Sequence, residues 1–322
     1  MKSVKVSIPG KVMLAGEYAV LRGARSLALT VNKRLTISIK PASDLVTVHS
    51  DIWDEAMQVS ASDEAPDNPL LNSIHWGMTH WNIKSADIHV SSEIAISDGL
   101  GSSSAVRLGA LTALAHFAGQ DLPLWDVARL AWTQQREQQG FASGYDFATQ
   151  SLGGLVILKP DYENWPGLCS NAGWQNLEGF VHIFRGGRGA PTDIVAGSTG
   201  QWLRDRDLSS ALDLRSEELV DQLLHFNQSG QDAAKLINAI KIHRQLFEEN
   251  PHFPIAIKRG FQELRGFDQD WTFKTTGAGG EDSILLFGHE SDIAPAKAQL
   301  KTLGWEKLDA NICHDGIKFL ER

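Results

Sequence analysis

The stretch Asp98-Gly99-Leu100-Gly101-Ser102-Ser103-Ser104-Ala105-Val106 constrains this chain more than any other. Two glycines bracket a leucine and three hydroxyls follow. Apolar residues then recur at helical spacing through Val106, Ala110, Leu111, Leu114, Ala115 and Phe117 until Gly119. A glycine turn feeding a serine-rich helix start points unpaired backbone N–H groups at one spot, where the helix dipole favours negative charge. That is a phosphate seat. An ordinary serine cap after a flexible turn uses the same letters, so the surrounding chain has to decide. The stretch lacks the Gly-Lys-Ser/Thr ending of a Walker A loop, and no third glycine lies three residues beyond Gly101, as a dinucleotide fingerprint requires. The lysine that phosphoryl transfer needs must therefore come from elsewhere in the chain.

Lys11 is the candidate. It follows Pro9-Gly10 in the segment 4–21, which opens with strand alternation, breaks at the Pro-Gly pair and resumes as an apolar run into Gly16-Glu17-Tyr18. A lone lysine is usually a solvated surface group; one set among apolar neighbours after a tight turn is a better site residue. Bulk properties narrow the partners. A net charge of −9 argues against broad nucleic-acid binding, while a small anionic substrate remains compatible with local basic groups. No apolar run approaches the ~20 residues of a membrane span, and the N-terminus reads as a strand with no secretory leader. Cys169 and Cys313 are the only cysteines, which excludes a disulfide framework and suggests a reducing, cytoplasmic setting. The eleven histidines show no metal-binding spacing, and the ten tryptophans are scattered as packing residues.

Along the chain, strands are expected at 35–39, 88–90, 155–158, 180–184, 271–274 and 283–287, the last two paired. Helices are expected over 70–81, after the phosphate seat, over 125–139 and through most of 201–249. Residues 51–68 read as an acidic loop, and the irregular stretch 160–173 as a domain boundary.

Three glycine-rich segments in this order resemble the GHMP kinases, the family of galactokinase, homoserine kinase, mevalonate kinase and phosphomevalonate kinase. Ile8-Pro9-Gly10-Lys11-Val12-Met13-Leu14-Ala15-Gly16-Glu17-Tyr18 is similar to the first motif. Residues 92–105 are similar to the second, the ATP-phosphate loop, and Lys274-Thr275-Thr276-Gly277-Ala278-Gly279-Gly280 to the third. Gly16-Glu17-Tyr18-Ala19-Val20-Leu21 and Ser143-Gly144-Tyr145-Asp146 most resemble phosphomevalonate kinase. There are departures: Ala95 stands where a proline is common, and Glu281-Asp282 follow the third motif where a further glycine is usual. Gln135 falls where a magnesium-binding glutamate is expected, with Glu137 two residues on.

The resemblance implies an α+β fold of two domains, 1–165 and 166–322, with the active site in the cleft between them. It implies an ATP-dependent kinase acting on a small anionic metabolite, phosphomevalonate first, with mevalonate or another small molecule as alternatives. A ligand-binding protein that has kept the fold and lost turnover is the alternative of a different class. Catalysis would fall to Lys11 and Asp146. Gly99, Leu100, Gly101, Ser102, Ser103 and Ser104 would hold ATP, and Mg²⁺ would be held by Ser103 with Gln135 or Glu137. Substrate would meet Glu17, Tyr18, Ser143, Gly144, Arg188, Thr192, Gly277 and Ala278. Lys33, Arg34, Arg107, Arg185 and Arg188 are further candidates to hold an anion. No nucleic-acid or membrane partner is expected, and a homodimer is left open.

Overall fold

The computed structural model of the chain describes residues 2–96, 98–185, 192–253, 255–264, 270–279 and 283–321. The chain begins with strand β1 (Val4–Ala15), a 3-10 turn (Ala19–Arg22), β2 (Ser26–Lys40), β3 (Val46–Ser50) and β4 (Met57–Val59). Helix α1 (Pro69–His80) and strand β5 (Ala86–Ser92) lead to helices α2 (Ser102–Phe117), α3 (Leu124–Gln139) and α4 (Tyr145–Leu152). Strands β6 (Leu155–Lys159), β7 (Leu168–Asn171) and β8 (Val181–Arg185) precede helices α5 (Thr192–Asp205), α6 (Ser209–Ser229), α7 (Ala233–Gln245) and α8 (Ile255–Leu264). Strands β9 (Thr272–Thr275) and β10 (Ser283–Phe287), helix α9 (Ala294–Thr302), and strands β11 (Glu306–Lys307) and β12 (Lys318–Glu321) complete an α+β fold.

The strands form two sheets. The first runs β12-β1-β2-β5-β3-β4, with β6 and β7 continuing from β2; the second runs β11-β8-β10-β9. The long β2 serves two neighbours on one side, pairing β6 through residues 26–29 and β5 through residues 35–40. The expected break at Pro9-Gly10 is a bulge: β1 continues through it while its register against β2 shifts there. Proline lacks the N–H a ladder needs and is tolerated where pairing is already interrupted. Helix α1 starts where Asn68 Oδ1 accepts from the Leu70 and Leu71 N–H groups, with Pro69 pre-set in the first turn.

Two elements fall inside stretches expected to be irregular, β4 within 51–68 and β7 within 160–173. The last strand, β12, pairs antiparallel with β1, so the C-terminal end closes the edge of the first sheet. Position 165/166 lies between β6 and β7, which pair with each other, and packing crosses it in both directions. Leu177, Phe180, Leu219, Phe226 and Leu236 join the core of the first sheet, while Tyr18 and Ala19 join Phe184, Trp271 and Phe273 in the second core.

Candidate active site

A cavity of about 470 Å³ opens where β1, the 99–104 turn, the start of α4 and residues 277–278 converge. Its polar lining includes Lys11, Glu17, Tyr18, Ser102, Ser103, Ser104, Gln135, Ser143, Tyr145 and Asp146. Three segments far apart in sequence thus meet at one hollow.

The turn is laid against β1 by local chemistry. Leu100 O accepts from Lys11 N at 2.8 Å, and the Gln150 amide donates to both Pro9 O (3.0 Å) and Gly101 O (3.1 Å). Gly101 sits at φ +77°, and a Cβ there would lie 2.5 Å from Lys11 Cε. Only glycine lets the lysine stem pass so close. Helix α2 begins at once, and no side chain caps its first turn. The 102–104 N–H groups, which have no acceptor within a helix, belong to residues that line the cavity.

A second helix start faces the same space. Gly144, at φ +79° and pressed against Trp165 and Trp132, turns the chain into α4. Tyr145 and Asp146 form its first turn and line the cavity; Ser143 lines it too, whereas Gly144 supplies the bend behind. Lys11 is 5% exposed; its Nζ donates to Tyr145 Oη at 2.8 Å and reaches Gly99 O at 3.4 Å, with the ammonium 5.0 Å from the tyrosine ring centre. Two helix N-termini and the Lys11 ammonium bring positive charge to this hollow, opposite the Asp146 carboxylate.

The third glycine-rich segment closes the far side. Tyr18 Oη donates to Ala278 O at 2.7 Å, and the Thr276 hydroxyl bonds the Met13 backbone at both its N–H and its carbonyl, each at 3.1 Å. Burial pushes the Tyr18 phenol well above its ordinary range. Glu17, expected to meet substrate, lines the cavity but its carboxylate is engaged by the fully buried Lys274. Burial pulls the Lys274 pKa down while the Glu17 charge resists that shift.

Other expected residues stand apart. Glu137 is exposed and does not line the cavity; two positions along α3 from Gln135 turn it about 200° round the helix. Arg34 donates to Ser7 and to Gly316 O, and Arg185 pairs with Asp98 at 2.9 Å, so both guanidinium groups hold structure. Arg188 lies outside the described residues, as do Glu281, Asp282 and the Thr192 side chain. Arg107, one turn beyond Ser103, is 1% exposed and donates through Nη2 to Gln138; its Nε and Nη1 have no hydrogen-bond partner among the described residues. Burial lowers its pKa to about 10, against the pull of the Asp146 charge.

Three hard oxygen donors at the cavity suit Mg²⁺: the Ser103 hydroxyl, the Asp146 carboxylate and Gln135 Oε1, which is buried with no hydrogen-bond partner among the described residues. Residues that sequence reasoning left out of the site are Tyr145, whose place after the Gly144 bend was a usable signal, and Lys274 and Gln150, whose roles only packing reveals; Arg107, expected to hold an anion, is buried beside Asp146 and Gln138.

Residues 70–154 match the family model for the GHMP kinases N-terminal domain. This part of the chain is a GHMP kinase domain. Its span takes in the phosphate turn and Asp146, while Lys11 and Gly277 reach the same cavity from outside it. The chain is 32% identical over 160 residues to the mevalonate kinase of Methanothermobacter thermautotrophicus, covering 49% of this chain and 50% of that one. It is 28% identical over 163 residues to the phosphomevalonate kinase of Saccharolobus solfataricus, covering 48% and 49%. The matches thus span about half the length of these curated relatives. The fold as a whole is similar to the phosphomevalonate kinase of Streptococcus pneumoniae solved with phosphomevalonate and AMPPNP, with a TM-score of 0.78 at 19% identity over 97% of this chain and 100% of that one. The shared fold therefore extends over both sheets.

Proposed function

We propose that this GHMP protein is an ATP-dependent kinase of the mevalonate pathway, transferring the γ-phosphate to phosphomevalonate. The observation that carries the reading is the meeting of Lys11, the 99–104 turn and the Tyr145–Asp146 helix start in one cavity. Phosphoryl transfer is mostly positioning and charge stabilisation. The backbone N–H groups of 102–104 cradle the nucleotide phosphates, and Lys11, held by Tyr145 and Gly99 O, stabilises negative charge on the oxygens in flight. Asp146 orients the acceptor, and for a hydroxyl acceptor it also takes the proton. Mg²⁺ would be held by Ser103, Asp146 and Gln135, and would supply neutralisation of phosphate charge. Residues 1–165 serve as the unit with the phosphate turn and the Lys/Asp pair, and 166–322 as the unit that brings Gly277 and Ala278 to the substrate.

Mevalonate is the second acceptor in this reading, favoured by the 32% identity to a mevalonate kinase over the domain. ATP consumption with phosphomevalonate, mevalonate, homoserine and galactose tests both. The expected order puts phosphomevalonate first in kcat/KM. A higher value for mevalonate reverses the choice of acceptor, and nucleotide binding without turnover on any acceptor moves the chain to the non-catalytic class.

A further inference from the structure

The outer face of the first sheet carries a cluster that the cavity chemistry does not use. Strands β3 and β5 run parallel, with His49 opposite His89 and Thr47 opposite Asp87. Alternation sends Val46, Val48, Ala86, Ile88 and Val90 into the core, so His49, Asp87 and His89 all project from the other face. There the imidazole rings stack, their centres 4.4 Å apart and their planes within 6°. Both Nε2 atoms turn to one carboxylate: that of His49 lies 3.0 Å from Asp87 Oδ1, and that of His89 3.0 Å from Asp87 Oδ2. Two nitrogens and a carboxylate oxygen fall within 4.8 Å of one another. The three side chains are 42%, 36% and 51% exposed, open to ions from solution.

We propose that His49, Asp87 and His89 bind one divalent transition-metal cation of the zinc class, with water completing the shell. In a tetrahedral site with bonds of about 2.0–2.1 Å the ligand atoms stand about 3.3 Å apart, so small side-chain rotations convert the hydrogen-bonded trio into a ligand set. Two imidazole nitrogens and one carboxylate select Zn²⁺, Co²⁺ or Ni²⁺ over Mg²⁺ and Ca²⁺, which favour oxygen shells. A metal bound through Nε2 would take the place of the Nε2 proton that each ring donates to Asp87, leaving each neutral imidazole with its one proton on Nδ1. On the neighbouring strand β2, Lys40 is in register with Asp87 and the neutral Ser38 with His89; Lys5 of β1, in register with Ser38, lies one strand further on the same face. None of the three ligands lines the cavity. The bound ion would link β3 to β5 and so brace the side of the sheet where the three-residue edge strand β4 pairs only β3.

Calorimetric titration of the chelator-stripped, dialysed protein with ZnCl₂, and separately with MgCl₂, tests this. The expected result is one Zn²⁺ per chain whose binding the substitutions below weaken, and a response to MgCl₂ that is the same in wild type and variants. Affinity for Zn²⁺ should fall at least about tenfold in His49→Ala, in His89→Ala and in the near-isosteric Asp87→Asn, since each removes one of three protein ligands. Co²⁺ should give the visible absorption of a four-coordinate site in the wild type and lose it in the variants, with circular dichroism unchanged. Zn²⁺ affinity equal in wild type and all three variants would overturn the proposal. So would a wild type that takes up no Zn²⁺, which would leave the trio a hydrogen-bonded surface cluster.

Discussion

In the proposed reaction Asp146 and Lys11 carry the chemistry, and substitution of Asp146 separates the two acceptors. Asp146→Asn keeps size and hydrogen-bonding reach but cannot accept a proton. For a hydroxyl acceptor, turnover should fall ~10²–10⁴-fold, the usual worth of general-base catalysis. For an acceptor that is already a phosphate, ionised at neutral pH, the loss should be smaller and nearly flat with pH. Lys11→Met should be damaging in both cases; near-normal kcat in both variants would end the mechanism. His243 gives a different kind of prediction. Burial, and then the neighbouring Lys274 ammonium, holds its pKa at about 3, against the ordinary 6.5. Between those values the unfolded chain binds a proton that the folded chain refuses. Stability should therefore fall as pH drops below about 6.5, by up to about 1.4 kcal/mol per pH unit, and show no such contribution above pH 7. Urea midpoints at pH 7 and pH 5 should converge in His243→Gln relative to wild type; an identical pH slope in both proteins would contradict this.

Helix α2 and the turn before it show how an element becomes a site. The helix is buried along most of its surface, so its start cannot drift, and the Gln150 amide pins Gly101 O from α4. Gly101→Ala brings two penalties. A left-handed backbone costs a non-glycine residue about 1–2 kcal/mol, and the new methyl would press on Lys11 Cε from 2.5 Å. Denaturation should show a loss of that order, and ATP affinity should drop further because both the N–H cradle and the ammonium shift together. Unchanged nucleotide affinity with reduced stability would mean that the turn is only a cap.

The two sheets are joined through a buried pair. Glu17 follows β1, Lys274 lies on β9 of the second sheet, and both are about 2% exposed at the side chain. His243 Nε2 stands 3.8 Å from the other carboxylate oxygen. Removing one member of such a pair strands a charge in the interior and typically costs about 3–5 kcal/mol. In urea denaturation Glu17→Gln should lower the unfolding free energy by the lower end of that range, and the double change Glu17→Gln with Lys274→Met should recover much of it. A double variant no better than the single one would show that the pair does not act as a unit.

Much of this architecture was legible in one dimension because its signals are local. The turn at 99–101 needs glycine for its positive φ, α2 announces itself by apolar spacing, and β9 and β10 are short apolar runs around a glycine loop. The phosphate turn and Lys11 stand out for the same reason, since glycine or proline bends the chain at each, whereas Asp146 entered as a candidate only through the resemblance of Ser143-Gly144-Tyr145-Asp146 to the GHMP kinases. Tertiary structure decided the rest. Nothing near Lys274 indicates that it will be buried against Glu17, and Arg107 reads as a surface charge until α2 is packed on all sides. Glu137 looked as good a ligand as Gln135 until helix geometry turned it to solvent. The trio of His49, Asp87 and His89 has no metal-binding spacing along the chain, because parallel pairing brings together strands some forty positions apart. Strand β12 shows the same limit. A four-residue segment carries too little periodicity to announce itself, and it becomes a strand only because β1 leaves an edge for it to pair.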